Sequence, residues 1–144
     1  MIARINAISA SRPVGRIARW LSATLLLGAL SLSLPAHALA PIIDLEDQPI
    51  PDNLSLEQIK RGIRMGALNK GWVVKDAGSN AFEATLFVRK HVVKVKIAWT
   101  RSDYAITYIS SQNMKAREGQ IHRKYNGWVT NLNNNIQREL YSIL

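Results

Sequence analysis

Two neighbouring segments in the middle of the chain, residues 81–89 and 92–100, alternate apolar and polar side chains and constrain the fold most strongly. In both, every second residue is mainly aliphatic or aromatic, which is typical of a β-strand with one buried and one solvated face. The tight turn near Lys90 and His91 is too short for a crossover connection. The pattern therefore predicts an antiparallel β-hairpin.

Two further segments continue this hairpin on either side. Residues 71–77 precede it and end at a turn-forming run of Gly, Ser and Asn, whereas residues 104–110 follow it and are rich in β-branched and aromatic residues. Short turns join the consecutive strands. We therefore expect a four-stranded antiparallel meander with one buried face.

A helix is expected before the strands. Ser55 and Gln58 have the spacing of a capping box, and apolar residues then recur every three or four positions as far as Ala67. Gly62 and Gly66 lower the helix propensity of this segment. We interpret the two glycines as the site of a close approach between this helix and the sheet.

A second helix is expected after the strands, from Ile121 towards Leu144, because its apolar residues form one stripe at helical periodicity. Tyr125 and Trp128 in this stripe are interpreted as core anchors, while Glu139 conflicts with it. The predicted fold class is α+β, a four-stranded antiparallel meander with two helices packed on one face in the order α-β-β-β-β-α.

The first 38 residues have the layout of a secretory signal peptide. A basic region precedes the uncharged run 21–34, and small residues offer a cleavage site after Ala38 or after Ala40. As a helix the uncharged run would be about 21 Å long, short of a hydrocarbon core of about 30 Å. The chain has no cysteine for a lipid anchor. We expect Sec-dependent export to the periplasm or the medium, with no transmembrane segment after cleavage.

The charge of the remaining chain is unevenly distributed. Residues 39–53 hold three prolines and four acidic residues, which predicts an extended arm outside the packed domain. From Asn53 onward, 15 basic residues stand against six acidic ones. We expect a single α+β domain over residues 54–144 whose cationic surface engages an anionic envelope component or a periplasmic or outer-membrane protein, with no specific nucleic-acid partner.

A basic face of the predicted sheet is the first candidate site. Its residues share the solvated face by the period of two or border it: Arg89, Lys94, Lys96, Phe87, Lys75 and Arg101. Cations interleaved with an aromatic residue on an open sheet can hold phosphates and stack a ring. The alternative is a solvated face that carries lysine without any binding role.

A cleft lined by His91, His122 and Asn126 is the second candidate. We expect His91 in the hairpin turn, and His122 at the start of the last helix on a polar stripe with Asn126. Two histidines do not supply the three or four ligands of a zinc site, so neither a metal nor a cofactor is expected. For His122 the alternative is a structural role, with a hydrogen bond to a neighbouring backbone group or to Tyr108.

The sequence lacks the common enzyme signatures: a nucleophile elbow, a P-loop, a Rossmann fingerprint and a zinc-protease helix motif. We therefore expect a non-catalytic periplasmic accessory or binding protein that acts through the basic sheet face. Two alternatives stay open. One is an enzyme of unrecognised type with a cleft near His91 and His122, and the other is an envelope-assembly component that pairs through an exposed sheet edge.

Three stretches of the chain resemble a group of small exported proteins and lipoproteins of Gram-negative bacteria. They are residues 82–95, 104–111 and 121–132, and the run I-H-x-x-Y-N-x-W-V-x-N-L in the last stretch is the most specific. The resemblance implies an envelope location and a single small α+β domain. It implies no assigned activity and no catalytic residue. Many such proteins look like lipoproteins, and the missing acylated cysteine favours a free periplasmic form here.

Overall fold

Seven β-strands and two α-helices form in residues 39–144, the part of the chain that this computed structural model describes. The predicted signal peptide, residues 1–38, lies outside the described residues. In chain order the elements are β1 (Leu39–Pro41), β2 (Leu45–Pro49), α1 (Leu56–Leu68), β3 (Val73–Asp76), β4 (Ala81–Val88), β5 (His91–Trp99), β6 (Asp103–Gln112), β7 (Gln120–His122) and α2 (Lys124–Ser142).

Five strands form one antiparallel sheet in the order β2-β6-β5-β4-β3. Strands β3 to β6 are the predicted meander, and its register places apolar residues opposite each other, for example Phe82 opposite Ile97. The expected class, α+β with an antiparallel sheet, is confirmed. The expected number of four strands was wrong, because β2 adds a fifth strand beside β6.

The segment that was expected to be an unpacked arm, residues 39–53, supplies two strands. In β2, Pro49 lies opposite Asp103 of β6, and Ile50 directly after it is buried in the core. The prolines are compatible with pairing because β2 is an edge strand, where one side of the backbone needs no donor. Proline content and acidity were therefore misleading signs of a linker.

Strand β1 pairs with β7 in a second, two-stranded antiparallel sheet. The last helix was expected to begin at Ile121, but Ile121 and His122 belong to β7, and α2 begins at Lys124. Asn126 in the first turn of α2 donates a hydrogen bond from Nδ2 to the carbonyl oxygen of Pro41 (2.9 Å). This bond fastens β1 to the helix.

Both helices cover the same face of the five-stranded sheet, and their apolar side chains join those of the strands in one core. The predicted capping box is confirmed at the start of α1, where Ser55 and Gln58 each donate a backbone N–H to the other's side chain (2.8 and 3.2 Å). The bulkiest buried side chains come from every layer: Trp72, Tyr104, Tyr125, Phe82, Ile59 and Ile63.

The two glycines of α1 approach α2 and not the sheet, so the sequence-based interpretation was wrong about the partner. A Cβ on Gly66 would lie 2.6 Å from the Cα of Ile136, and one on Gly62 would lie 2.8 Å from Cδ2 of Leu140. The buried side chain of Asn135 donates from Nδ2 to the carbonyl oxygen of Gly66 (2.8 Å) at the same contact. The helices therefore meet backbone to backbone at this point.

A contact with α1 also explains why the charged residue Glu139 lies within the apolar stripe of α2. Glu139 Oε1 accepts a hydrogen bond from Nδ2 of Asn69 (3.0 Å), the residue that caps the C-terminus of α1. The carboxylate is therefore partnered at the rim of the helix pair, where it is only partly exposed.

A hydrogen-bonded network ties β2 to α2. Gln48 Oε1 accepts from Nδ2 of Asn133 (2.8 Å), and Asn133 Oδ1 accepts from the hydroxyl of Tyr104. Gln137 Nε2 donates both to the Tyr104 hydroxyl and to the carbonyl oxygen of Pro49 (2.9 Å each). Burial raises the pKa of Tyr104, so this hydroxyl stays protonated as a donor. The network supplies specific partners for an edge strand whose sequence looked like a linker.

The helix contact predicts a graded response to alanine at three glycines. Gly66→Ala forces a methyl group into the backbone of α2 and should cost about 3 kcal/mol of the free energy of unfolding. Gly62→Ala meets the end of a flexible leucine side chain and should cost less. Gly127→Ala in α2 meets no atom within 4 Å and should add up to about 1 kcal/mol through helix propensity.

Urea unfolding of the three variants measures these differences. Equal effects at Gly66 and Gly127 would contradict the proposed helix contact.

Candidate functional site

The outer face of the five-stranded sheet carries part of the predicted basic patch. Lys75 and Lys96 lie opposite Glu83 on the two neighbouring strands, and the Nζ of Lys94 lies 2.9 Å from Oε1 of Glu83. Phe87 on the same face is 62% exposed. One carboxylate therefore sits among the three lysines and lowers the attraction of this face for an anion.

The two predicted arginines lie at opposite ends of the sheet. Arg89 occupies the β4–β5 turn with a φ of 54°, and Arg101 lies in the β5–β6 turn. The nine residues of β5 separate these turns by about 26 Å. The six residues predicted as one patch are thus divided between the outer face and the two ends.

The end of the sheet at the β4–β5 turn gathers basic residues from three parts of the chain. We call this surface the cationic end, and it consists of Arg89, Lys90, Lys115, Arg123 and Lys124 with the histidines His91 and His122. The β4–β5 turn and the β6–β7 loop are joined because Asn113 Nδ2 donates to the carbonyl oxygen of Lys90 (2.7 Å). The β6–β7 loop is also joined to the end of β7, because His122 donates its backbone N–H to the carbonyl oxygen of Met114 (2.8 Å).

The lysine and arginine side chains of the cationic end lack carboxylate partners among residues 39–144. All five lysines and arginines are exposed, and the salt bridges of the described region involve Lys60, Arg64 and Lys94 instead. Glu118 in the β6–β7 loop is the nearest acid along the chain. The charge of this end is therefore available to a ligand.

The acidic residues of the former arm collect at the opposite end of the domain. Glu46 and Asp47 line a surface recess together with Asp103, and Asp52 lines another with Arg101. Because β2 pairs with β6 at this end, most of the arm's carboxylates are held away from the cationic end. The fold thus places most carboxylates of residues 39–53 near the β5–β6 turn, where Arg101 also lies, and five basic residues at the opposite end.

The two histidines meet at the cationic end. The ring centroids of His91 and His122 are 6.2 Å apart. His91 Nδ1 donates to the carbonyl oxygen of Asn113 (2.8 Å), and His122 Nδ1 accepts the backbone N–H of Lys124 (3.2 Å). Nδ1 of His122 is therefore unprotonated in this arrangement.

The surroundings of His122 disfavour its charged form. Desolvation, followed by repulsion from Lys124, His91, Lys115 and Arg123, lowers the pKa of His122 below its ordinary value of 6.5. These groups come from β5, the β6–β7 loop, the first residue of α2 and the residue before it. At neutral pH the imidazole is uncharged, and a bound anion would favour its protonation.

A groove of about 450 Å³ opens beside the histidines, between the β4–β5 hairpin and α2. One wall is formed by Val88, Arg89 and His91, and the other by residues one helical turn apart on α2: Lys124, Gly127, Trp128 and Asn131. Lys124, Gly127 and Asn131 were not predicted from the sequence as site residues. Their spacing on a helix could have suggested them only if the opposing hairpin had been known.

Of the three residues expected to line a cleft, His91 lies in the groove and His122 lies next to it. Asn126 is not among the groove-lining residues, since its amide fastens β1. Tyr125 is fully buried, with its pKa raised by burial, whereas Trp128 is only partly buried and borders the groove. Tyr125 is therefore a core anchor, and Trp128 has a surface available to a ligand.

Within residues 39–144, no three His, Asp or Glu side chains converge on a point that could hold a metal ion. Neither α1 nor α2 has the length and apolar content needed to cross a membrane. The described groove offers cations, an indole surface and amide groups, with no carboxylate among the residues that line it.

No protein-family model matches the chain, and no curated protein matches it. The case for a function therefore depends on the geometry and charge of the site.

The surroundings of His122 predict its titration. Its pKa is lowered in the folded chain, so the stability associated with neutral His122 is present above pH 6.5 and falls as the pH drops from 6.5 towards the folded-state pKa. NMR titration should therefore give a midpoint below 6.5. Lys115→Gln should raise this midpoint by removing one repulsive charge, whereas Lys75→Gln on the outer sheet face should not. A midpoint at or above 6.5 in the unaltered protein would contradict the description of this cluster.

Proposed function

We propose that this protein is a non-catalytic binding protein of the cell envelope that holds a phosphate-bearing envelope component at its cationic end. The observation that carries the proposal is the group of five exposed basic side chains without a carboxylate partner among residues 39–144, two of which, Arg89 and Lys124, line an open groove. Lysine and arginine bind phosphate oxygens through charge-assisted hydrogen bonds.

The separation of charge along the domain supports the same proposal. Carboxylates at the far end, among them Asp47 and Asp103, repel a polyanion, while the cationic end attracts it. The domain therefore has a preferred orientation towards an anionic surface, and the summed field of the charges accelerates the encounter. The outer sheet face is a weaker candidate because Glu83 pairs with Lys94 there.

An envelope location is part of the proposal and is supported by the signal-like composition of residues 1–38. In the periplasm, the phosphates of lipopolysaccharide and of lipid headgroups are the polyanions that an exported domain meets first. Cell fractionation tests this part. Recovery of the uncleaved chain from the cytoplasm alone would contradict it.

The two alternatives find less support among the described residues. The edge strands β2 and β3 are five and four residues long, and β2 is interrupted by a register shift, so each offers a short template for strand addition. For an enzyme, the groove presents no carboxylate that could act as a base beside His91.

Charge reversal at two matched pairs of lysines tests the proposal. Lys90→Glu/Lys124→Glu changes the cationic end, and Lys70→Glu/Lys75→Glu makes the same change of charge outside it, with Lys75 on the outer sheet face and Lys96 left to face Glu83. Binding of the purified protein to lipopolysaccharide should become roughly tenfold weaker in the first variant and change by less than about threefold in the second. Glutamate at the first position of α2 is compatible with the helix dipole, so the fold should be retained.

The controls separate a phosphate interaction from general adhesion. Binding should fall as salt rises from about 50 mM to about 500 mM, and it should be lost with lipopolysaccharide from which the phosphates have been removed. Equal losses in the two variants, or binding that does not depend on phosphate, would overturn the proposal.

A further inference from the structure

We propose that the groove between the β4–β5 hairpin and α2 binds a phosphorylated pyranose, with the sugar ring against Trp128 and its phosphate between Arg89 and Lys124. The inference deepens the proposed function and rests on it, because it names the chemical unit that the cationic end recognises. It requires three features of the groove: an open floor, a stacking surface and cations at the rim.

Gly127 provides the open floor, by which we mean the part of the α2 wall from which no side chain projects. A glycine inside a helix lowers its stability relative to alanine, and Gly62 and Gly66 are accounted for by the close contact of the two helices. Gly127 has no such contact, since a Cβ there would meet no atom within 4 Å, and it lines the groove. The missing side chain therefore leaves free volume in the groove and serves no packing purpose in the described region.

The stacking surface is provided by Trp128. Trp72 and Trp99 are buried, with 2% and 4% of their surfaces exposed, whereas Trp128 is only partly buried and lines the groove. His91 lies beside it, with a ring-centroid distance of 6.2 Å. A pyranose has an apolar face of C–H groups, which suits the face of an indole ring.

The rim supplies the polar contacts. Arg89 and Lys124 stand on the two walls of the groove, so that a phosphate between them would contact both elements. Asn131, one helical turn beyond Gly127, offers an amide that can donate to and accept from sugar hydroxyls. The volume of about 450 Å³ is in the range of small-molecule sites.

The inference is tested by a substitution that fills the groove and leaves the protein folded. Gly127→Gln places a side chain over the floor, and because glutamine favours a helix more than glycine does, the melting temperature should stay the same or rise. Glucose 6-phosphate is the probe, and the readout is the change in tryptophan fluorescence, to which the buried Trp72 and Trp99 contribute a constant background. The unaltered protein should give a saturable change, and Gly127→Gln should weaken the apparent affinity by at least about tenfold.

Two further probes test the contributions of the sugar and of the phosphate separately. Glucose without phosphate should bind at least about tenfold more weakly than glucose 6-phosphate because it lacks the charged contact. Inorganic phosphate should compete with glucose 6-phosphate but leave the emission of Trp128 unchanged, since no ring covers the indole.

Matched variants complete the design. Gly127→Ala should weaken binding less than Gly127→Gln because its side chain is shorter, and Asn134→Gln, an exposed change on α2 outside the groove, should have no effect. Unchanged binding of glucose 6-phosphate in Gly127→Gln would overturn the inference. If lipopolysaccharide binding still responds to Lys90→Glu/Lys124→Glu in that case, the proposed function survives its failure.

Discussion

The backbone contact between α1 and α2 determines the position of every residue on one wall of the groove. Gly66 admits the main chain of Ile136 at a distance that no other residue would allow, and Asn135 binds the carbonyl oxygen of Gly66 at the same place. These contacts set the register of α2 against α1, and the hydrogen bonds of Asn133 and Gln137 hold α2 on β2 and β6. The residues of α2 that face the β4–β5 hairpin, Gly127 and Trp128 among them, are placed as a consequence.

The segment before α1 has a different part in the structure: it controls where the negative charge lies. Its strand β2 is held on β6 and on α2 by the hydrogen bonds of Gln48 and Pro49. The carboxylates that follow Leu45 are thereby fixed towards the β5–β6 turn, away from Arg89 and Lys124. The acidic segment therefore increases the difference in charge between the two ends of the domain and does not cover the cationic end.

Local patterns were sufficient to predict the elements whose stability is local. The capping box at Ser55 and the alternation in β4 and β5 depend on neighbouring residues, and both are found in the structure. The strands β1, β2 and β7 were missed because they are short or rich in proline and are stabilised by distant partners, such as the amide of Asn126. Contacts of this kind leave no periodic signal in the sequence.

The site was predicted in part for the same reason. The sequence identified His91, Arg89 and the basic character of the domain, but a period of two could not show that Arg89 leaves the sheet in a turn with a positive φ. The groove combines one hairpin with one helix that are more than 30 residues apart in the chain. In the sequence, Gly127 is a residue of low helix propensity, and only the structure shows that it lines the groove.

The central claim is that the anion binds at the cationic end and not on the outer sheet face. Hydrogen–deuterium exchange of the protein with and without lipopolysaccharide tests it directly. The account predicts slower exchange in residues 89–91, 113–118 and 123–128, with no change in β3. Protection confined to β3 and β4, around Lys75 and Phe87, with none at the β4–β5 turn, would contradict it.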